Sequence, residues 1–184
     1  MRDIDIRLRR WGVAAAVIGA IGLAHGKPRR PPILAEATAD ISGRGGAGLQ
    51  GSARFEETLG SVSVQLVVVD ARPGLHAVQI LSGGDCMAVN RHFNPGNRVH
   101  GRPGTGHAGD LGNVAVTRSG WGTLLRTIPG VTLEQARRYG LLWRAVVIRA
   151  GPDDFRSNDG GAGAVIGCGL IQPLGERPPS VGGR

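Results

Sequence analysis

The chain has 184 residues, enough for one domain with a well-buried core, and its length requires no second domain. Its net charge of +8 comes mostly from residues 1–30, because the rest of the chain holds fifteen basic and twelve acidic residues, a net charge of +3. A basic face interleaved with stacking aromatics is missing, and Arg44-Gly45-Gly46 is the only hint of one, so we expect no nucleic-acid partner. Glycine is abundant, at 32 residues, and aromatics make up only 4%, a composition typical of short strands joined by loops.

The N-terminal segment has the pattern of an export signal. Basic residues flank an uncharged run at residues 11–24 that is rich in Ala and Gly. This run is shorter than the roughly 20 apolar residues of a membrane-spanning helix, which favours a signal peptide over an anchor. We expect residues 1–26 to be a signal peptide, or an N-terminal anchor if uncleaved, followed by a linker at residues 27–33. The protein would then be periplasmic or secreted, and attached to a membrane only if the segment is retained.

Alternation of small apolar and polar residues predicts strands through the first half of the remaining chain. Four segments follow this period of two, and the Gly-rich residues 43–48 form a loop after the first of them. The predicted strands are residues 33–41, 52–56, 61–68 and 75–81. Residues 82–112 then lose the pattern and are rich in Gly, Pro, Asn and His, and a loop of that length in a compact domain is usually functional.

Strands resume after the long loop, at residues 113–117 and 122–128. Thr132 and Gln135 match a capping box, which predicts one or two turns of helix. Further strands are predicted at residues 141–150 and around Cys168, and residues 173–184 are a Pro/Gly-rich flexible tail. About eight short antiparallel strands at this spacing predict an all-β Greek-key β-barrel or sandwich.

The two cysteines, Cys86 and Cys168, are far apart in the sequence. In an exported protein the oxidising compartment favours a disulfide between them. The alternative is a pair of unpaired, buried thiols.

Three histidines and a carboxylate cluster within the long loop. His92, His100 and His107 fall within sixteen residues, and Asp110 follows three positions later. Three neutral imidazoles and one carboxylate fill the tetrahedral shell of zinc and leave no open position, which indicates a structural zinc site. The alternative is a set of solvated loop histidines, but a long Gly/Pro-rich loop needs something to fix it.

The motifs of this loop resemble those of copper/zinc superoxide dismutases. The resemblance covers residues 34–172 and is strengthened by sequences on both sides of the loop. The matching motifs are His92-Phe93-Asn94-Pro95, His100-Gly101-Arg102-Pro103, His107-Ala108-Gly109-Asp110-Leu111-Gly112-Asn113, Gly74-Leu75-His76, Gly84-Asp85-Cys86, Gly151-Pro152-Asp153-Asp154 and Gly167-Cys168-Gly169.

The resemblance implies a role for each matching residue. His92 would bridge copper and zinc, while His100, His107 and Asp110 would complete the zinc shell. Cys86 and Cys168 would form the intrasubunit disulfide. Asp153 matches a carboxylate that orients metal ligands from outside the shell, and here it could still hold His100. The alternative is an ordinary loop aspartate beside Asp154.

The copper half of the family's site is not kept. Two family copper histidines correspond to Gln79 and Leu81, and a third corresponds to Arg149, whose guanidinium stays protonated and cannot bind a metal. The arginine that attracts superoxide in the family corresponds to Val165. Copper is therefore not expected as a cofactor. Arg149 would either occupy the vacated copper pocket near Gln79 or lie at the barrel surface with its charge in water.

These departures decide the functional expectation. Three of four copper ligands are replaced, and zinc has no redox couple, so we expect an inactive, zinc-stabilised structural or binding module. The alternative is an active superoxide dismutase with an unconventional metal site. A zinc hydrolase is less favoured, because the closed shell leaves no site for water. The family often dimerises through the barrel face, so a homodimer is compatible with the resemblance, but the sequence identifies no interface and no specific partner.

Overall fold

The computed structural model describes residues 31–87, 91–135, 137–158 and 160–175. The predicted signal peptide, most of the predicted linker and most of the predicted tail lie outside these residues. Within the described part of the chain, no helix has the length and apolar character needed to cross a membrane.

Nine β-strands make up the regular structure of the described residues, which confirms the all-β prediction. They are β1 (Ala35–Gly43), β2 (Gln50–Thr58), β3 (Ser61–Val69), β4 (Gly74–Ile80), β5 (Asp110–Val116), β6 (Gly122–Pro129), β7 (Ala145–Arg149), β8 (Val165–Leu170) and β9 (Gln172–Pro173). The first four begin and end within a few residues of the predicted bounds. β5 begins earlier than predicted, so that Asp110 is its first residue.

The strands close into an eight-stranded antiparallel barrel. The hydrogen-bonded order is β2-β3-β6-β5-β4-β7-β8-β1, and β1 pairs again with β2, which completes the ring, while β9 adds to β1. The pairings of β3 with β6 and of β4 with β7 connect strands that are not consecutive, as in a Greek key. Two of the pairings in this ring are short, because β5 with β6 and β1 with β8 each pair over two residues. The predicted Greek-key barrel is confirmed.

The barrel interior is filled by the inward side chains of strands in which buried and exposed residues alternate. In β3 the inward side chains Val62, Val64, Leu66 and Val68 are fully buried, and Phe55 of β2 packs in the same core. β4 and β7 differ because both of their faces are buried where they pair. Their inward residues join the main core, while their outward residues are covered by the long loop, and this second buried face is where the candidate site lies.

Two local predictions are wrong. No helix forms among the described residues around Thr132, because the chain there is drawn into other hydrogen bonds: the Leu133 N–H donates to the Glu57 carboxylate at 2.6 Å, and the Leu141 N–H donates to the Thr132 carbonyl. The strand predicted at 141–150 shortens to β7. Trp143 has a φ of 65°, in the left-handed region, and this breaks the extended backbone ahead of Ala145.

Candidate metal site

The histidine loop is fastened to the end of β4 by backbone hydrogen bonds. The Phe93 N–H donates to the Ile80 carbonyl, the Ile80 N–H donates to the Gly109 carbonyl, and the Gly109 N–H donates to the Phe93 carbonyl. Gly109 must be a glycine here, since a Cβ would lie 2.3 Å from the Ile80 oxygen. Phe93 is buried in the main core and so attaches the loop to the barrel.

The four predicted ligands converge on one point. The Nδ1 atom of His92 lies 2.8 Å from Asp110 Oδ1, and that of His107 lies 3.3 Å from the same oxygen. His100 Nδ1 lies 3.1 Å from Asp110 Oδ2, and the Nδ1 atoms of His92 and His107 are 3.4 Å apart. These donor atoms are close enough together to hold a single metal ion. The alternative of solvated loop histidines is wrong, because the side chains of His92, His100 and Asp110 are almost fully buried.

Asp110 is fixed as a carboxylate at the centre of the cluster. Its Oδ2 atom accepts the backbone N–H groups of Gly101 and His107, at 3.1 and 2.8 Å. Burial would raise the pKa of Asp110, but the hydrogen bond with His92, the Gly101 N–H and the nearby imidazoles outweigh it, so the pKa lies below its usual value. Gly106 makes room for this arrangement, since a Cβ there would lie 2.5 Å from Asp110 Oδ2.

Asp153 orients His100 from outside the cluster. Its Oδ1 atom accepts a hydrogen bond from His100 Nε2 at 2.9 Å, which leaves His100 Nδ1 with its lone pair directed at the cluster. That Nδ1 atom is buried and makes no hydrogen bond. Asn113 holds Asp153 in turn by accepting its backbone N–H at 2.7 Å. The reading of Asp153 as an ordinary loop aspartate does not fit this buried contact.

The cluster shifts the imidazole pKa values in opposite directions. Burial lowers the pKa of His100, but the hydrogen bond with Asp153 and the charges of Asp110 and Asp153 outweigh it, so the net shift is upward. For His107, burial is the largest cause and the net shift of the pKa is downward, although Asp110 opposes it. A metal ion binds the lone pair of an unprotonated imidazole nitrogen, so its binding competes with protonation of these rings.

The cysteines form the predicted disulfide, and the alternative of two free thiols is wrong. Cys86 is bonded to Cys168 across 82 residues of chain, which ties the start of the long loop to β8. Arg144 reinforces this connection because its guanidinium donates to the Ser82 carbonyl and stacks over the Phe93 ring at 4.1 Å.

The side chains at the family's copper positions are all inside the protein. Gln79 on the outward face of β4 and Leu81 just after that strand are both 0% exposed, and Leu81 forms an isolated β-bridge with His92 of the loop. Leu81 packs with Ala145, Val147 and Cys168 in a separate apolar cluster, which Val165 and Cys86 adjoin. Arg149 is 3% exposed, so it does not lie at the barrel surface with its charge in water. The Nε2 atom of His92 is also buried, and it has no hydrogen-bond partner among the residues that the structure describes.

Some supporting residues were not found from the sequence. The guanidinium of Arg102 lies 4.9 Å from the centre of the Phe155 ring and joins the histidine loop to the segment that carries Asp153. Gly106 and Gly109 allow close contacts that no pattern in their own segment reveals.

Comparisons with known proteins identify the family of this chain. The family model described as copper/zinc superoxide dismutase (SODC) matches residues 49–171. Superoxide dismutase [Cu-Zn] 3 of Arabidopsis thaliana is 36% identical over 137 residues, which cover 67% of this chain and 82% of that protein. A crystal structure of the clock protein EA4 has 28% sequence identity and a TM-score of 0.68, and the match covers 79% of this chain and 99% of that one. The chain belongs to the copper/zinc superoxide dismutase family.

Proposed function

We propose that this protein is an exported member of the family that binds zinc, lacks the family's copper, and acts as a zinc-stabilised structural or binding module. Zinc is favoured by the donor set, since three imidazoles and one carboxylate complete its tetrahedral shell. Tetrahedral bonds of about 2.0–2.1 Å put donor atoms about 3.3 Å apart. Four spacings between donor atoms, from 2.8 to 3.4 Å, are close to this value, with Asp110 Oδ1 nearest His92 and His107 and Oδ2 nearest His100.

Bound zinc would serve this protein by holding the loop. His92, His100, His107 and Asp110 would be its ligands, and with all four in place no position remains for an activated water. Free energy from the ligand bonds would fix a loop that is otherwise held by backbone hydrogen bonds and the disulfide.

The observation that carries the proposed loss of copper is the environment of Leu81. The family needs an imidazole donor at this position, and here the side chain has no lone pair and is packed in an apolar cluster. Arg149, at another donor position, carries a fixed positive charge that would repel a copper ion. Dismutation needs a metal that cycles between two oxidation states, which zinc cannot do. We therefore propose no copper-dependent dismutation.

The test restores the family's residues. A variant with four substitutions, Gln79→His, Leu81→His, Arg149→His and Val165→Arg, is compared with the wild-type protein. Both proteins are loaded with zinc first and then incubated with copper, because imidazole sites bind Cu²⁺ more tightly than Zn²⁺ and copper would otherwise compete for the zinc ligands. We expect copper binding and superoxide consumption in the variant alone. Equal copper content and turnover in the wild-type protein would contradict the proposal. A Leu125→His variant is the control for adventitious copper binding, because Leu125 is exposed on β6.

The alternative function is dismutation at an unconventional metal site. It is favoured by family membership and by His92, whose Nε2 atom is buried and makes no hydrogen bond, so one donor remains at the copper side. Activity that survives removal of copper and iron, but not a His92→Ala substitution, would support the alternative. Its absence at every metal composition would leave the non-enzymatic role.

Export is proposed from the signal-like pattern of residues 1–26, and the disulfide is a second observation in its favour. Disulfides persist in oxidising compartments and are rare in the cytosol. The Cys86–Cys168 bond therefore supports a periplasmic or secreted location. Alkylation of intact cells before lysis should leave both cysteines unmodified, whereas quantitative labelling of both would contradict export.

A further inference from the structure

A cavity of about 310 Å³ lies between the histidine loop and the chain that follows β6. It opens beside His107 and Asp110, and its lining includes none of the family's copper positions, Gln79, Leu81 and Arg149. His107 is the most exposed ligand of the cluster, at 14% of its side chain. The cavity is therefore separate from the apolar cluster that surrounds Leu81.

The charges on the cavity wall are unbalanced. Among its described lining residues the ionisable groups are Arg98, Arg126, His107, Asp110 and Tyr139. Asp110 is occupied by the imidazoles and by two backbone N–H groups. Within the described part of the chain neither arginine forms an ion pair with a carboxylate. The wall thus presents two positive charges that no acidic side chain neutralises.

Both arginines are held in place by backbone carbonyl groups. Arg98 donates to the Gly104 carbonyl at 3.0 Å, and Arg126 donates to the carbonyls of Leu111 and Leu125, each at 2.8 Å. A guanidinium has five N–H donors, so each arginine keeps several for a ligand. Guanidinium groups held in this way bind carboxylate and phosphate oxygens, often through two hydrogen bonds at once.

The remaining wall is mixed, with an apolar part and a polar part. Leu111, Ile128 and Val131 belong to the main core and line the apolar part together with Pro95 and Pro103, while Asn94 and Thr127 contribute polar groups. Cavities of about 300 to 1,000 Å³ that combine apolar walls with a few placed polar groups are typical small-molecule sites. An apolar body of modest size would fit against this wall while its charged end reached the arginines.

We propose that this cavity binds a small organic anion, with a carboxylate held by Arg98 and Arg126 and an apolar group packed against Leu111, Ile128 and Val131. The site requires the folded histidine loop but no copper. It does not depend on whether the protein is an enzyme, so the failure of the proposed function would leave it unaffected.

The test is a titration of the zinc-treated, full-length protein with benzoate, followed by NMR chemical shifts. Benzamide, acetate and inorganic phosphate are titrated in parallel to separate the contributions of charge, apolar body and phosphate. We expect saturable binding of benzoate, and binding at least about tenfold weaker for benzamide, which lacks the charge. Acetate and phosphate should also bind more weakly, because they lack the apolar body.

Three variants assign the binding to the cavity. Arg98→Gln and Arg126→Gln should each weaken benzoate by about tenfold, because each loses a charged hydrogen bond. Arg118→Gln changes the net charge equally at an exposed residue outside the cavity and should bind as the wild-type protein does. If Arg126→Gln fails to fold, Arg98→Gln decides alone, since Arg98 is exposed at the rim. The proposal is wrong if benzoate does not saturate, if it binds no better than acetate, or if the Arg98 and Arg118 variants behave alike.

Discussion

Replacing Leu81 by alanine tests whether the family's copper position has become part of the protein's core. Leu81 is 0% exposed and packs against Ala145, Val147 and Cys168. Transfer of the lost methyl and methylene groups costs about 1.5–3 kcal/mol, and a cavity term adds to it because paired strands cannot collapse into the space. We expect Leu81→Ala to lower the free energy of unfolding by about 3 kcal/mol. For a domain of this size the Tm would fall by roughly 6–12 °C.

The measurement is denaturant and thermal unfolding of the zinc-loaded protein, with zinc content determined for each sample. The matched control is Leu125→Ala, because Leu125 is 69% exposed on β6, and its cost should stay within about 0.5 kcal/mol. If Leu81→Ala cost no more than the control, the apolar cluster would not be a packing element. The structural argument against a copper ligand at that position would then be refuted.

Three further predictions concern the groups around the site. Asp153→Ala should weaken zinc binding by about 10–100-fold in a chelator competition, because His100 loses its orienting hydrogen bond, whereas Asp154→Ala should leave zinc affinity unchanged. Reduction of the Cys86–Cys168 disulfide should lower the free energy of unfolding by about 2–5 kcal/mol in denaturant titrations, and an unchanged midpoint would contradict its role. Asp154 accepts hydrogen bonds from the Ser157 hydroxyl and from two backbone N–H groups, which lower its pKa to about 2. Because the pKa is lower in the folded state, the ionised carboxyl stabilises the fold at pH values above its unfolded pKa of about 3.9. The wild-type protein should therefore have a higher free energy of unfolding than Asp154→Asn at pH 5, and this difference should fade as the pH falls toward 2.

The strands and the ligand set were predictable because both are encoded over short distances in the sequence. Alternation such as that of Val62, Val64 and Leu66 follows directly from the period of a strand, and the barrel keeps these residues inside. The spacing of His92 through Asp110 placed four donors in one loop, and the loop brings their atoms together. Local pattern and tertiary structure agree at these positions.

The predictions were wrong or incomplete where contacts between segments far apart in the sequence determine the local structure. A carboxylate on β2 captures the N–H group of Leu133, which no helix-capping pattern near Thr132 could reveal. Arg149 is buried by contacts that form only in the folded barrel, so the sequence left both of its alternatives open. The apolar cluster around Leu81 joins the residue that follows β4 to residues of β7 and β8, and it forms only when these segments are brought together.

The metal content of the purified protein tests the central claim most directly. The protein is stripped of metal and loaded with one equivalent of zinc. Copper is added only afterwards, because imidazole sites bind Cu²⁺ more tightly than Zn²⁺ and copper would otherwise compete for the zinc ligands. The sample is then dialysed and analysed by inductively coupled plasma mass spectrometry. The account predicts about one zinc per chain, from the four ligands of a single closed shell, and copper far below one per chain. One tightly held copper per chain, alone or beside the zinc, would contradict it.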